Sequence, residues 1–336
     1  MKKTKIHAFI LPFHYKKSHS HLALLEKPLS ADISFQFESW DGTNLPQIKD
    51  RSLPLLFFQY PPPISLFSNP NAKLIWIPMW DHIQQYHDSF WERIPKNVKI
   101  IAFTEAINKI CTKFKLNYHS LKYHSNLGMH NKVNWKNSRN MFYWNRIGLI
   151  GKDDLTRLCR LFHINTLYFQ NQLDPGVLEK LNYSLPAKIN NTRIITLPHY
   201  LPRKTYLQIL SKTNVYIAPR LAEGAGLSFL EALSFGCAVL GYNAPSMNEY
   251  IKHKKNGYLF KDYNDSFIYK LKTAVTIRLP KFLGGQDFIY KLNENWQELE
   301  NIDLENMGNT AYVNNLEGRL KWEEQLPNLI NYLTVW

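Results

Sequence analysis

Two carboxylates, Glu223 and Glu231, stand eight positions apart and enclose the glycines Gly224 and Gly226 in the run VYIAPRLAEGAGLSFLEALSFGCAVLGY. An apolar strand pattern, Val215–Pro219, leads into the loop Arg220–Gly226. A helix pattern, Leu227–Phe235, and a second strand pattern, Cys237–Tyr242, follow. Glycines at a helix N-terminus let backbone approach a ligand closely. The unpaired N–H groups and the positive end of the helix dipole make that place a phosphate site. A glutamate one or two turns into such a helix is suited to accept hydrogen bonds from a ribose diol. A purely structural reading stands beside this one. Ser228-x-x-Glu231 is also a capping box serving the helix's own amides, and Gly236 is a C-terminal cap.

A second constellation is the loop Trp144-Asn145-Arg146-Ile-Gly-Leu-Ile-Gly151-Lys152. An arginine presents a planar fork to phosphate oxygens, and a lysine adds a mobile point charge. A glycine-bearing loop between them lets both reach one diphosphate. Taken alone, the pair also reads as two surface cations at a strand end. In the N-terminal half, the strand-like run Lys73–Pro78, KLIWIP, ends in Met79-Trp80-Asp81-His82. His82 is a candidate beside a reacting group, with Asp81 to orient or replace it; Asp81 also reads as a helix cap. His19-x-His21 has metal-like spacing but no third ligand nearby, so no metal is expected there. The segment Asn108–His124 alternates Lys with Ile, Phe, Leu and Tyr, as either a solvated helix face or a surface that lies on an anionic membrane. Residues His199–Arg203 are candidates for contact with a nucleotide base.

Positioning these groups requires alternating strands and helices. Strand patterns recur at Ile6–Phe13, Ile33–Phe37, Leu53–Tyr60, Lys73–Pro78 and Val98–Phe103, and Thr104 caps a helix over Glu105–Phe114. A second series runs Met141–Trp144, His163–Phe169, Arg193–Leu197, Val215–Pro219 and Cys237–Tyr242, between a polar linker at 126–140 and a helical tail with a last piece at Asn314–Leu333. Short apolar strands alternating with helices predict parallel doubly wound sheets. At 336 residues, two domains are expected: 1–135 on the acceptor side, 136–310 binding the donor, and a C-terminal helix over 311–336 that returns to the N-terminal domain. In such sheets ligands bind at the carboxyl ends of the strands.

The net charge is +14, with 17 Lys/Arg against 9 Asp/Glu in residues 1–135 and 24 against 18 in the rest. Such a charge favours phosphorylated substrates, anionic membrane or nucleic acid. The nucleic-acid class is disfavoured, because no recognition signature is present and the cations form no single stripe. Three dispersed cysteines suggest neither disulfides nor zinc and fit a cytoplasmic setting. No apolar run approaches the ~20 residues of a membrane span, so any membrane contact is expected to be peripheral.

With these residues in view, the run from Glu223 to Leu259 resembles the donor-site signature of retaining glycosyltransferases of family 4 type, with Glu223 and Glu231 as its two acids. Glu249 stands for its intervening acid and Asn256-Gly257-Tyr258-Leu259 for its following turn. Arg146 and Lys152 match the family's Arg and Lys, with Trp144-Asn145 where a glycine is usual; the family's glycine-rich loop after the first strand is missing. The resemblance implies a GT-B fold, two Rossmann-like doubly wound parallel-sheet α/β domains facing a central cleft. It implies a donor site of Arg146, Lys152, Glu223, Gly224, Ala225, Gly226, Leu227 and Glu231, and His82, Asp81 and Glu223 at the reacting sugar. It further implies retention of configuration, no metal or other cofactor, a nucleotide-sugar donor, and a saccharide or lipid-linked saccharide acceptor. The expected setting is bacterial surface-polysaccharide synthesis at the cytoplasmic face of the inner membrane. A non-catalytic adaptor of the same fold and a GT-B epimerase or phosphorylase are the competing expectations.

Overall fold

A computed structural model describes residues 3–15, 20–174, 177, 179–199, 201–260 and 295–336. They form two compact units. The first comprises residues 1–124, 223–227 and 317–336, and the second residues 125–222 and 228–316. The doubly wound α/β reading holds in each.

The first unit carries six strands: β1 (Thr4–Ile10), β2 (Ile33–Ser39), β3 (Leu55–Gln59), β4 (Leu74–Pro78), β5 (Lys99–Ala102) and β6 (Asn117–Ser120). Their order is β2-β1-β3-β4-β5-β6, and every pairing is parallel. The middle strands are buried on both faces. All of β4, LIWIP, is buried, which is why it reads as an unbroken apolar run and not as an alternation. One side of the sheet packs an aromatic core of Phe9, Trp40, Phe57, Trp76 and Trp91. Thr104 caps helix α1 (Glu105–Lys113), its Oγ1 accepting from Ile107 N at 3.3 Å. The segment 108–124 is not one amphipathic element. Its first part is α1 and its second is the polar edge strand β6, NYHS, whose pairing with β5 supplies what its composition lacks.

The second unit carries seven strands: β7 (Asn140–Asn145), β8 (Thr166–Asn171), β9 (Lys188–Ile189), β10 (Thr192–Leu197), β11 (Val215–Ile217), β12 (Ala238–Tyr242) and β13 (Gly257–Phe260). The order is β13-β12-β11-β7-β8-β10-β9, with β9 alone antiparallel among the described strands. Numbering the parallel strands along the chain turns β10-β8-β7-β11-β12-β13 into the 3-2-1-4-5-6 order of dinucleotide-binding sheets. The direction of winding changes between β7 and β11, so the carboxyl ends of those two strands are where a ligand is expected. The stretch 126–140, polar and read as a linker, packs on this unit. Val133 N donates to Phe235 O at 2.8 Å, and Asn214 Nδ2 donates to Asn134 O at 2.9 Å. A Cβ on Gly128 would fall 1.9 Å from Ser234 O, so backbone meets backbone there.

Four further helices matter below: α2 (Lys152–Leu161), α3 (Arg203–Leu210), α4 (Leu227–Ser234) and α5 (Leu304–Thr334). Helix α5 starts ten residues before the Asn314 expected from sequence. Within the first unit, Lys99 of β5 donates from Nζ to Tyr332 O at 2.6 Å and to Val335 O, with Nζ 3.9 Å from the Trp336 ring centre. Burial, then the charge of Lys73, pushes its pKa down to about 8. Because the folded pKa is depressed, the unfolded chain binds more protons between about 8 and 10.5, and stability rises with pH across that window. The gap in melting temperature between wild type and Lys99→Met is therefore expected to move in favour of wild type from pH 8 to pH 10; a constant gap would contradict it.

Candidate active site

In the second unit, Arg146 leaves the carboxyl end of β7. Its Nε and Nη2 each lie 2.9 Å from Asp174 Oδ1, its carbonyl accepts from Asp174 N at 2.7 Å, and its guanidinium lies 4.4 Å from the Trp144 ring centre. The residues that stand in place of a glycine here, Trp144 and Asn145, pin the loop. Trp144 Nε1 donates to Gln172 O at 3.0 Å. Asn145 donates to Asn171 Oδ1 at 3.0 Å and Leu181 O at 2.9 Å and accepts from Gly148 N at 3.1 Å. Gly148 has φ +69°, and a Cβ there would fall 2.7 Å from the Leu181 side chain. Lys152 is the first residue of α2, is exposed and makes no salt bridge among the described residues. One pinned loop thus carries a fixed cation at its start and a mobile one at its end.

Glu231 lies in α4, 4% exposed. Both of its oxygens meet Arg203, the first residue of α3: Nη1 donates to Oε2 at 2.8 Å and Nη2 to Oε1. Burial pushes the Glu231 carboxyl up, and Arg203 opposes that shift. The capping-box reading of Ser228 and Glu231 is therefore wrong, because the helix begins at Leu227 and Glu231 is engaged elsewhere. The capping box lies further on, at Ser246 and Glu249, where Ser246 N donates to Glu249 Oε1 at 3.4 Å. Gly236 does close α4. At φ +77°, its N donates to Leu233 O at 3.0 Å and Cys237 N to Ala232 O at 3.1 Å, a Schellman cap.

A cavity of about 560 Å³ opens at the ends of β8 and β10, lined by Asn171, Gln172, Leu173, Asn182 and His199 among others. Gln170 Nε2 donates to His199 O at 2.6 Å and holds that loop.

In the first unit, residues 223–227 pack at the carboxyl end of β4. A Cβ on Gly224 would fall 2.9 Å from Asp81 Oδ1 and 2.9 Å from Met79 Cβ, so a glycine is needed for the approach. Gly226 has φ +68°, a conformation that favours glycine. Glu223 is 8% exposed and Ala225 9%. Asp81 lies in the helical turn Trp80–Ile83, which Met79 precedes as N-cap, and no side-chain cap forms; the cap reading of Asp81 is corrected. His82, in the same turn, pairs Nε2 with Tyr86 OH at 2.8 Å, and its ring centre is 4.1 Å from that of Tyr60. The structure thus brings Gly224 beside Asp81, with Glu223 and His82 their neighbours in the chain. After β1, His14 Nε2 meets Gln59 Oε1 at 2.5 Å and its Nδ1 meets Ser20 Oγ at 3.1 Å. His21 is buried on Phe37, ring centres 4.7 Å apart, and His19 lies outside the described residues.

Residues 179–278 match the family described as Glycosyl transferases group 1. The GtfA subunit of the Streptococcus pneumoniae UDP-N-acetylglucosamine–peptide N-acetylglucosaminyltransferase is 32% identical over 73 residues, 21% of this chain and 14% of that one. Sucrose-phosphate synthase from Thermosynechococcus elongatus superposes with a TM-score of 0.60 at 10% identity, over 98% of this chain and 99% of that one. The pneumococcal O-GlcNAc transferase GtfA, solved with UDP and GlcNAc, gives 0.53 at 14% identity, over 85% of this chain and 58% of that one. The chain thus spans well under two thirds of the GtfA proteins it matches. Residues 179–278 are thus similar to the glycosyltransferase group 1 family, and the chain has the GT-B fold.

On this GT-B chain the sequence reading missed three charged residues at the carboxyl edge of the second sheet. From sequence, Arg203 reads only as a loop residue near a base. Asp174 and Arg220 were not singled out at all, although Arg220 donates to Asp174 Oδ2 from Nε at 3.1 Å and from Nη2 at 2.6 Å. An arginine directly after an apolar strand of an α/β fold was the available signal for Arg220. Asp174 had none, since its loop lacks a pattern.

In the first unit of this GT-B fold, burial holds the His82 pKa below its ordinary value against the opposing charge of Asp81. His82 is neutral at pH 7. The unfolded chain binds the more protons below pH ~6.5, so the His82 contribution is lost as pH falls through the folded pKa. The melting temperature of wild type is expected to drop towards that of His82→Gln between pH 7 and pH 5; parallel curves would contradict this.

Proposed function

We propose that this chain is a retaining glycosyltransferase that moves a sugar from a nucleoside-diphosphate sugar to a saccharide or lipid-linked saccharide. The observation that carries the reading is the pinned loop from Arg146 to Lys152 at the switch point of a 3-2-1-4-5-6 sheet, in the same unit as the buried acid Glu231 of α4. The match of residues 179–278 to a glycosyltransferase family supports it. The relative GtfA is named for a UDP-sugar, which makes a UDP-sugar the first donor to test.

The reaction breaks the bond between the anomeric carbon and the phosphate oxygen, and the electron pair leaves with the diphosphate. The acceptor hydroxyl oxygen bonds to that carbon and its proton is released. Positive charge grows on the sugar ring and negative charge on the leaving group, so preorganised cations lower the barrier. Arg146 and Lys152 supply them. Arg203 opposes the upward shift that burial gives the Glu231 carboxyl, whose oxygens are to accept from ribose hydroxyls, and the cavity lined by His199 suits the base. Glu223 takes sugar hydroxyls, with Asp81 and His82 at the sugar. With the diphosphate's charge met by side chains, the proposed reaction uses no metal.

The basic surface of the first 135 residues, 17 Lys/Arg against 9 Asp/Glu, fits an anionic acceptor or a peripheral membrane setting. No described helix is long and apolar enough to cross a membrane. We assign the enzyme to bacterial surface-polysaccharide synthesis, O-antigen or capsule, at the cytoplasmic side of the membrane.

Thermal unfolding against UDP, GDP, ADP, CMP and dTDP, each with and without EDTA, tests the donor site. A ligand at 100 times its Kd adds about 2.7 kcal/mol to stability. One diphosphate is expected to raise the melting temperature independently of EDTA, and Glu231→Ala to abolish the shift. No shift with any nucleotide would leave the non-catalytic adaptor as the better reading.

A further inference from the structure

Arg146 and Arg220 leave neighbouring parallel strands at the same height. Tyr143 of β7 pairs with Ile217 of β11, and each arginine follows its paired residue by three positions. Their guanidiniums converge on one carboxylate from a third loop. Asp174 gives Oδ1 to Arg146 and Oδ2 to Arg220, and its backbone N–H ties to Arg146 O at 2.7 Å. The side chains are 14%, 27% and 19% exposed for Arg146, Arg220 and Asp174, so the cluster is largely withdrawn from water without being sealed. It sits where the winding of the sheet reverses, the place where open α/β sheets take their ligands.

We propose that Arg146 and Arg220 form one diphosphate-binding fork, with Arg220 a phosphate-binding residue and Asp174 the positioning residue that sets both guanidiniums. This deepens the nucleotide-sugar reading and rests on it for the identity of the ligand. Arg220 adds a second planar donor to the leaving diphosphate beside Arg146, and its specificity is for the diphosphate and not for the base.

Isothermal titration with inorganic pyrophosphate, UDP, GDP, ADP and uridine separates the possibilities. Losing a charge-assisted hydrogen-bonding partner is worth about 2 kcal/mol, so Arg220→Gln is expected to weaken pyrophosphate and UDP about 30-fold. Uridine should stay within about threefold. Arg220→Lys keeps the charge but not the fork and is expected to recover only part of the loss. Asp174→Asn is expected to weaken pyrophosphate and UDP with uridine unchanged, because both forks lose their anchor. If Arg220→Gln does not fold, Asp174→Asn/Arg220→Gln removes the cation and its partner together and is expected to show the same pyrophosphate loss. Pyrophosphate and UDP binding within threefold of wild type in Arg220→Gln, or in that double variant, overturns the proposal. So does tighter binding in Asp174→Asn, which would make Asp174 a competitor and not a positioning residue. UDP binding that is lost in Lys152→Ala but indifferent to Arg220 sinks the fork and keeps the donor reading. Pyrophosphate binding that depends on Arg220 without any nucleotide binding does the reverse.

Discussion

Lys152→Ala is expected to lower the rate of sugar transfer about 100- to 1,000-fold, equivalent to ~3–4 kcal/mol of barrier, with a much smaller change in donor KM. Arg146 is fixed by Asp174 and by the Trp144 ring, so its charge is present before donor binds and acts partly in the ground state and partly in the transition state. Lys152 is exposed, stands at the first position of α2 and makes no described salt bridge. A mobile ammonium can follow the charge that accumulates as the sugar–phosphate bond breaks, and interactions that strengthen at the transition state appear in kcat. Arg146→Ala is expected to divide its cost between KM and kcat. Lys113→Ala is the matched control. Its pair with Asp88 is 59% and 64% exposed, and such surface pairs contribute little. Steady-state kinetics on the three variants checks the pattern; equal rates for Lys152→Ala and Lys113→Ala would remove Lys152 from the chemistry.

Arg203→Ala is expected to lower stability by about 3 kcal/mol, because it leaves a buried carboxylate without its cation. Glu231 is the partner inside, while Arg203 is 52% exposed and acts as its cover, so water entering the vacated space keeps the cost at the low end of the range. Arg203→Ala/Glu231→Gln should recover most of the stability, since a neutral amide does not need the guanidinium. The pH dependence has a definite sign. The Glu231 carboxyl is raised by burial, so the folded state holds its proton longer than the unfolded state. Its contribution is therefore present in acid and lost as pH rises from about 4.5 through the folded pKa. Without Arg203 the folded pKa climbs further, and Arg203→Ala should melt lower at pH 8 than at pH 5 relative to wild type. Differential scanning calorimetry at the two pH values decides it, and a double variant no more stable than Arg203→Ala would show that the pair is not the cause.

Much of the second unit is legible because its chemistry and its folding use the same signals. The strand pattern at Val215–Pro219, which forms as Val215–Ile217, and the Schellman glycine Gly236 are local patterns, and they bound the segment that holds Glu223 and Glu231. What local patterns do not contain is partnership. Ser228 and Glu231 have the spacing of a capping box, yet Arg203, from another helix, takes the carboxylate. Gly224 reads as a glycine that admits a ligand, and its immediate structural need is the approach to Met79 and Asp81. Strand β6 was invisible because NYHS has no apolar alternation; only its neighbour β5 makes it a strand. The stretch 126–140 reads as a linker because its polar groups face outward, while Val133 and Trp135 carry the packing. Asp174 shows the limit most plainly. It has no motif, and its importance comes entirely from two arginines that arrive from strands 28 and 46 residues away.

The most direct test of the central claim is release of nucleoside diphosphate from a panel of UDP-, GDP-, ADP- and dTDP-sugars. It is followed by mass spectrometry with simple saccharides, and with water as the fallback acceptor. The expected result is turnover of one nucleotide class, with the anomeric configuration of the donor kept in the product and the rate collapsing in Lys152→Ala. A folded protein that binds a nucleoside diphosphate but cleaves no nucleotide-sugar, or one whose turnover is untouched in Lys152→Ala, would contradict the account.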